Sequence, residues 1–158
     1  MKDTVDLSPD LTDLLTEFES SGVEYLVVGG WAVSTHAKPR FTKDLDLWIG
    51  TSPENLARTV RALTAFGAPA ALVEQAAGMS AEEFLFFGTP PARIDLLRSI
   101  PGAVFEDAWP RRCRVAWGRI TVNVLALDDL IAAKRAAGRP QDLSDVELLE
   151  TVKRSRQP

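Results

Sequence analysis

The chain has 158 residues, 46% of them hydrophobic and 25% charged, and a formal net charge of −4. That is enough chain for one domain with a real core, and the acidic balance argues against a general nucleic-acid binder, though not against a local basic patch. With Cys113 the only cysteine and His36 the only histidine, an internal disulfide, a cysteine zinc site and a histidine-rich metal site are excluded, and a Ser-His-Asp triad would have to use His36.

No apolar run approaches the roughly 18 to 20 residues needed to cross a bilayer. The opening MKDTVDLSPD lacks the basic-then-apolar layout of a signal peptide. The expectation is a cytoplasmic protein with no membrane partner.

Ser8-Pro9 reads as a helix start, with serine at the N-cap and proline at the first helical position. Leu11, Leu14, Leu15 and Phe18 follow at helical spacing, and Gly22 ends the helix. Residues 23–28 predict a buried strand. Gly29-Gly30 follows it, and residues 31–37 predict a short helix stopped before Pro39. Residues 44–47 alternate charged and apolar side chains, as a strand does, and Trp48-Ile49 extends it. Ser52-Pro53 repeats the helix-start pattern, with Leu56, Val60, Leu63 and Phe66 on one apolar face.

Residues 67–80 carry little signal. Residues 84–87 are apolar, 89–91 predict a turn, and 93–97 a short strand containing Asp95. Residues 112–117 and 120–125 predict a hairpin with Gly118-Arg119 at a type II′ turn. Two helices follow, over 128–137, ended by Gly138, and over 141–154; the tail KRSRQP is expected to fray. Strands and helices interleave without a regular βαβ repeat, which predicts a small mixed α/β sheet flanked by helices, an α+β arrangement.

Side chains at i and i+2 of a strand share one face, about 7 Å apart. Asp44 and Asp46 therefore converge while Leu45 and Leu47 enter the core. Such a pair is either a solvated strand face or two carboxylates held together for a cation, and oxygen-only ligands favour Mg²⁺ or Mn²⁺. Gly29-Gly30 is either a tight turn or a helix start whose backbone N–H groups meet a phosphate. Asp95, in ARIDLL, is a third lone acid in an apolar strand. If its strand neighbours residues 44–49, three carboxylates face one site, an arrangement suited to in-line displacement at phosphorus.

Gly29-Gly30, Asp44-Leu45-Asp46 and Asp95 together resemble the DNA polymerase β-type nucleotidyltransferase superfamily. The closer likeness is to small bacterial nucleotidyltransferases related to the abortive-infection toxin group. GGWAVSTHAKPRFTKDLDLWI is similar to their glycine-to-aspartate segment, including Arg40 and Thr42, and LDDLIAAKRAAGRPQDLSDVELL to their C-terminal helical signature. The resemblance implies one nucleotidyltransferase-like domain over residues 1–158, with the helices of 128–154 packed on it. It implies two Mg²⁺ ions held by Asp44, Asp46 and Asp95, and a nucleoside triphosphate, ATP among them, as donor. Gly29 and Gly30 would cradle phosphate, and Trp31, Arg40, Thr42, Lys134 and Arg139 would lie in the nucleotide site. Many members carry serine directly after the glycines, where this chain has Trp31. The acceptor stays open among RNA such as a tRNA end, a partner protein and a small molecule. The other reading is a non-catalytic regulatory or binding module of the same fold, such as a toxin–antitoxin component.

Several cations and acids admit two readings. Lys134, Arg135 and Arg139 near a helix end complement its dipole or serve the triphosphate. Asp142 and Asp145 cap the last helix or pair with Arg139. Arg111, Arg112, Arg114 and Arg119 form a basic hairpin, either a solvated face or an RNA contact. His36 is a helix-end residue or a catalyst.

Overall fold

A computed structural model describes residues 8–38, 44–80, 83–89 and 92–157. Arg40 and Thr42 lie outside the described residues. The described residues form seven α-helices and one mixed six-stranded sheet, an α+β architecture.

Local chemistry sets the first half. Helix α1 (Pro9–Ser20) starts where Ser8 accepts a hydrogen bond from the Leu11 amide at 3.3 Å, and buries Leu11, Leu14, Leu15 and Phe18. Strand β1 (Tyr25–Val28) is buried throughout and runs directly into α2 (Gly29–His36), two residues earlier than the sequence predicts. Strand β2 (Leu45–Ile49) follows, then α3 (Pro53–Phe66), capped by Ser52.

The buried face of α3 differs from expectation. Asn55, Thr59, Ala62 and Leu63 are buried, while Leu56, Val60 and Phe66 are only partly so. The rotation has a hydrogen-bonding cause. The Asn55 amide donates to the carbonyls of Glu24 and Gly50 at 3.0 and 3.1 Å and accepts from the Glu24 N–H at 2.7 Å, tying α3 to the chain on either side of the β1–β2 pair. Asn55→Ala strands the Glu24 N–H and the Gly50 carbonyl, while the Glu24 carbonyl keeps the Gly50 N–H at 3.0 Å, so urea melts are expected to show a loss of about 2 kcal/mol; a loss under about 0.5 kcal/mol contradicts this role.

The second half adds α4 (Ala70–Ala77), β3 (Phe84–Phe87), β4 (Ile94–Leu97), the short α5 (Phe105–Ala108) with a 3₁₀ turn (Trp109–Arg111), β5 (Cys113–Trp117), β6 (Ile120–Val124), α6 (Leu127–Ala137) and α7 (Pro140–Arg156). Gly118 takes φ +64° at the β5–β6 turn, where the sequence places a glycine-dependent turn. Helix α7 runs to Arg156, two residues beyond the expected end, and the Arg156 guanidinium donates to the His36 carbonyl at 3.2 Å.

The sheet order is β3-β4-β2-β1-β6-β5. Strands β2 and β4 pair in parallel, as do β1 and β6; the β1–β2, β3–β4 and β5–β6 pairs are antiparallel. Partners in register point to the same face. Val27, Leu47, Leu96 and Leu85 therefore share one face. Helix α3 covers that face, with Phe66 and Phe87 ring centroids 6.3 Å apart. On the other face Trp48 meets Phe105 edge-on at 5.1 Å, and Phe105 stacks on Trp109 at 5.6 Å. That aromatic stack closes one end of the second face, and the residues of interest occupy the other end. Among the described residues no helix is long and apolar enough to cross a membrane.

Candidate active site

Asp46 and Asp95 are direct partners in the β2–β4 ladder, and Val28 and Phe86 flank them in the same row. A row of register partners spans four strands, with two acids at its centre. Asp44 lies just before β2, on the same side as Asp46 by the two-residue repeat. The structure thus brings together the three carboxylates singled out in the sequence.

The site is electrostatically crowded. Burial first, then the Asp95 charge and a hydrogen bond to Asp95, then the Asp44 charge, push Asp46 up to about 7. Asp46 therefore keeps its proton well above the usual carboxylate range. The Lys134 ammonium acts in the opposite sense. Oδ1 of Asp44 is buried without a hydrogen-bond partner.

Arg93, which the sequence reading passes over, is the cation already among these acids. Its Nε donates to Oδ1 of Asp95 at 2.9 Å and stands 4.0 Å from Oδ2 of Asp44. Arg93 precedes Asp95 by two residues, so the same alternation that exposed Asp95 also marked Arg93 as its neighbour on that face. Among the described residues no group of three or more acidic, histidine or cysteine side chains is arranged to hold a metal ion. With Arg93 bonded to Asp95, the carboxylates face a guanidinium in place of one shared point. The donor set is of the kind that suits Mg²⁺ or Mn²⁺: it is all oxygen, one oxygen is orphaned, and burial together with the acidic neighbours keeps one carboxyl protonated above its ordinary range.

Gly29 opens α2 beside this cluster. Its φ is +67°, and a Cβ there would run into Oδ2 of Asp46. Two independent constraints thus require glycine: the left-handed backbone and the approach of the carboxylate. Gly30 is the next residue, and no side chain caps this helix start, leaving its first N–H groups available. Gly29→Ala is expected to cost about 1–3 kcal/mol in urea melts and to displace Asp46; a variant as stable as wild type contradicts this packing.

Trp31 turns the other way. Its ring lies 5.5 Å from Trp117 on β5, the edge strand opposite β3, and its indole N–H is buried without a partner. Lys134, 14% exposed, pairs with Asp142 at 3.3 Å and Asp145 at 3.1 Å, whose side chains are each 2% exposed. Arg139 is largely exposed and bonds Asp142 through Nε at 2.6 Å. The Asp142 carboxylate also accepts from the Arg139 backbone N–H, capping α7. The Arg139 hydrogen bond, then the Lys134 contacts, hold Asp142 below its ordinary range.

Three of the four arginines of the basic hairpin are engaged within the fold, and Arg119 is exposed at its turn. Arg111 forms a two-point pair with Asp129 at 3.0 and 2.9 Å, Arg112 stacks on Trp109 at 3.9 Å, and Arg114 reaches Glu19 and Asn123. His36 is buried at the end of α2, with Nε2 donating to the Leu125 carbonyl at 2.6 Å, and burial holds its pKa below the ordinary value. It serves as a packed helix-end residue. No protein-family model matches the chain, and no curated protein matches it.

Proposed function

We propose that the protein is a Mg²⁺-dependent nucleotidyltransferase with a polymerase β-like fold. The observation that carries this reading is the register of Asp46 against Asp95, with Asp44 beside them and the glycine-led start of α2 packed onto Asp46. Asp44, Asp46 and Asp95 would hold the metal, which would neutralise phosphate charge and align the triphosphate. The backbone N–H groups of Gly29 and Gly30 would receive phosphate oxygens. Asp95 would accept the proton of an acceptor hydroxyl as its oxygen bonds to the α-phosphorus. The bond from that phosphorus to the bridging oxygen breaks, and pyrophosphate leaves with the electron pair.

A second reading has its own support. Arg93 already neutralises Asp95, as it would in a non-catalytic binding or regulatory module of the same fold, such as a toxin–antitoxin component. Incubation with α-labelled ribonucleotides and Mg²⁺, together with total RNA or protein, separates the two. Transfer of label to an acceptor, or pyrophosphate release, supports the enzyme. No transfer with any of the four nucleotides supports the binding module.

A further inference from the structure

Arg93 meets the carboxylate cluster from two sides. Its Nε donates to Oδ1 of Asp95 and stands 4.0 Å from Oδ2 of Asp44, and its guanidinium lies over the Phe86 ring, 4.3 Å from the ring centre. Phe86 is the register partner of Asp95 on the neighbouring strand β3, so ring and carboxylate share one face. Phe86 is largely exposed, which makes its ring a seat for the cation and not part of the core. The hold on Asp95 is the looser of two kinds in this chain. Arg111 grips Asp129 by two hydrogen bonds, through Nε and Nη2, whereas Arg93 reaches Asp95 by one. The Arg93 side chain is 32% exposed, so it can swing toward solvent without crossing the core. One carboxylate oxygen cannot serve two cations: a divalent ion on Oδ1 of Asp95 would stand against the guanidinium, like charge against like. Arg93 offsets the repulsion among the three acids, and a metal would do the same in its stead.

We propose that Arg93 is the built-in counter-cation of Asp44, Asp46 and Asp95, and that a divalent ion binds there only by displacing it from Asp95. This rests on the nucleotidyltransferase reading above and concerns how that same site is controlled. A metal ion alone competes with a guanidinium that is tethered to the site and never diffuses away. A metal that arrives with triphosphate oxygens has further ligands with which to prevail. The Phe86 ring sets the strength of the competition, because a cation–π contact keeps the guanidinium beside the carboxylate. The sign of the effect separates this role from a structural one. If Arg93 braced Asp95 for the metal, its removal would weaken metal binding; as a competitor, its removal strengthens it.

The test titrates Mn²⁺ into the full chain, without ATP and then with it, and reads the free ion by electron paramagnetic resonance. Each protein is first checked for folding by circular dichroism. Without ATP, Arg93→Gln is expected to bind Mn²⁺ about 10-fold or more tighter than wild type, because one opposing charge has left the site. Arg93→Lys keeps a cation and is expected to bind as weakly as wild type. Phe86→Leu leaves Arg93 in place on an exposed site and is expected to tighten binding about 2- to 5-fold, the effect of one exposed cation–π contact. It tests the same competition should Arg93→Gln fail to fold, and unchanged affinity there overturns the proposal. Equal or weaker Mn²⁺ binding by a folded Arg93→Gln, where wild type takes up the ion with ATP, overturns the role of Arg93 and leaves the nucleotidyltransferase reading standing. Arg93→Lys binding as tightly as Arg93→Gln overturns it too, since charge would then not be what excludes the metal. No uptake by wild type or Arg93→Gln, with ATP or without it, overturns the metal site itself and the proposal with it.

Discussion

Asp46→Asn is expected to leave the protein more stable than wild type in chelator and to lower transfer activity by orders of magnitude. Wild-type Asp46 carries a linkage cost. Unfolded, it loses its proton near 3.8; folded, it keeps that proton to about 7, because it is buried against Asp95 and Asp44. The folded state therefore binds more protons between those two values, and stability falls as pH rises from about 4 to about 7, then stays low. Asparagine cannot ionise, keeps the side-chain size and removes this fall. At pH 8 in chelator the gain is on the order of 2–4 kcal/mol. With Mg²⁺ and triphosphate the order inverts: the wild type recovers its ligand and the variant lacks one. Urea melts from pH 4 to 8, with and without metal, read both effects. A variant destabilised in chelator that still responds fully to Mg²⁺ shows that Asp46 holds the fold, and the metal site falls.

Lys134→Ala is expected to cost about 3–5 kcal/mol in the absence of any ligand. Lys134 is the cation between Asp142 and Asp145, both buried, and removing one partner of a buried ion pair leaves charge without compensation. Arg139 remains on Asp142 and Gln141 on Asp145, which limits the loss to one network. The substitution also removes the positive charge that opposes the rise in the Asp46 pKa, so the fall in stability should extend to higher pH. If Lys134 served the triphosphate alone, ligand-free stability would be unchanged and only nucleotide affinity would drop. Urea melts of the ligand-free variant distinguish the two; a loss below about 1 kcal/mol contradicts the buried-network role.

What was legible in the sequence was mostly local. Ser8-Pro9 and Ser52-Pro53 mark the starts of α1 and α3 because a cap needs only residues within one turn. The alternation in residues 44–49 and 94–97 marks which acids leave the core. That these acids are register partners was a conditional in the sequence, because β2 and β4 pair in parallel across two helices and an edge strand. Pairing over such a separation leaves no local trace. The same limit explains α3: its apolar stripe indicated one face, and tertiary hydrogen bonds from Asn55 chose another. Arg93 carried a local signal in its two-residue spacing from Asp95, but its approach to Asp44 appears only when β2 and β4 pair. Trp31 follows the glycines in sequence but points toward Trp117, a contact that depends on the far edge of the sheet. Arg139 stands where the sequence suggests, yet its visible partner is Asp142.

The most direct test of the account replaces Mg²⁺ with Mn²⁺ and reads the ion by electron paramagnetic resonance. Mn²⁺ is titrated with ATP into wild type and into the Asp44→Asn/Asp46→Asn/Asp95→Asn variant, each checked for folding by circular dichroism. The account predicts that wild type removes Mn²⁺ signal beyond what ATP alone removes, that this uptake depends on ATP, and that the variant removes none beyond ATP. Equal uptake by the two folded proteins contradicts a metal site at these three carboxylates.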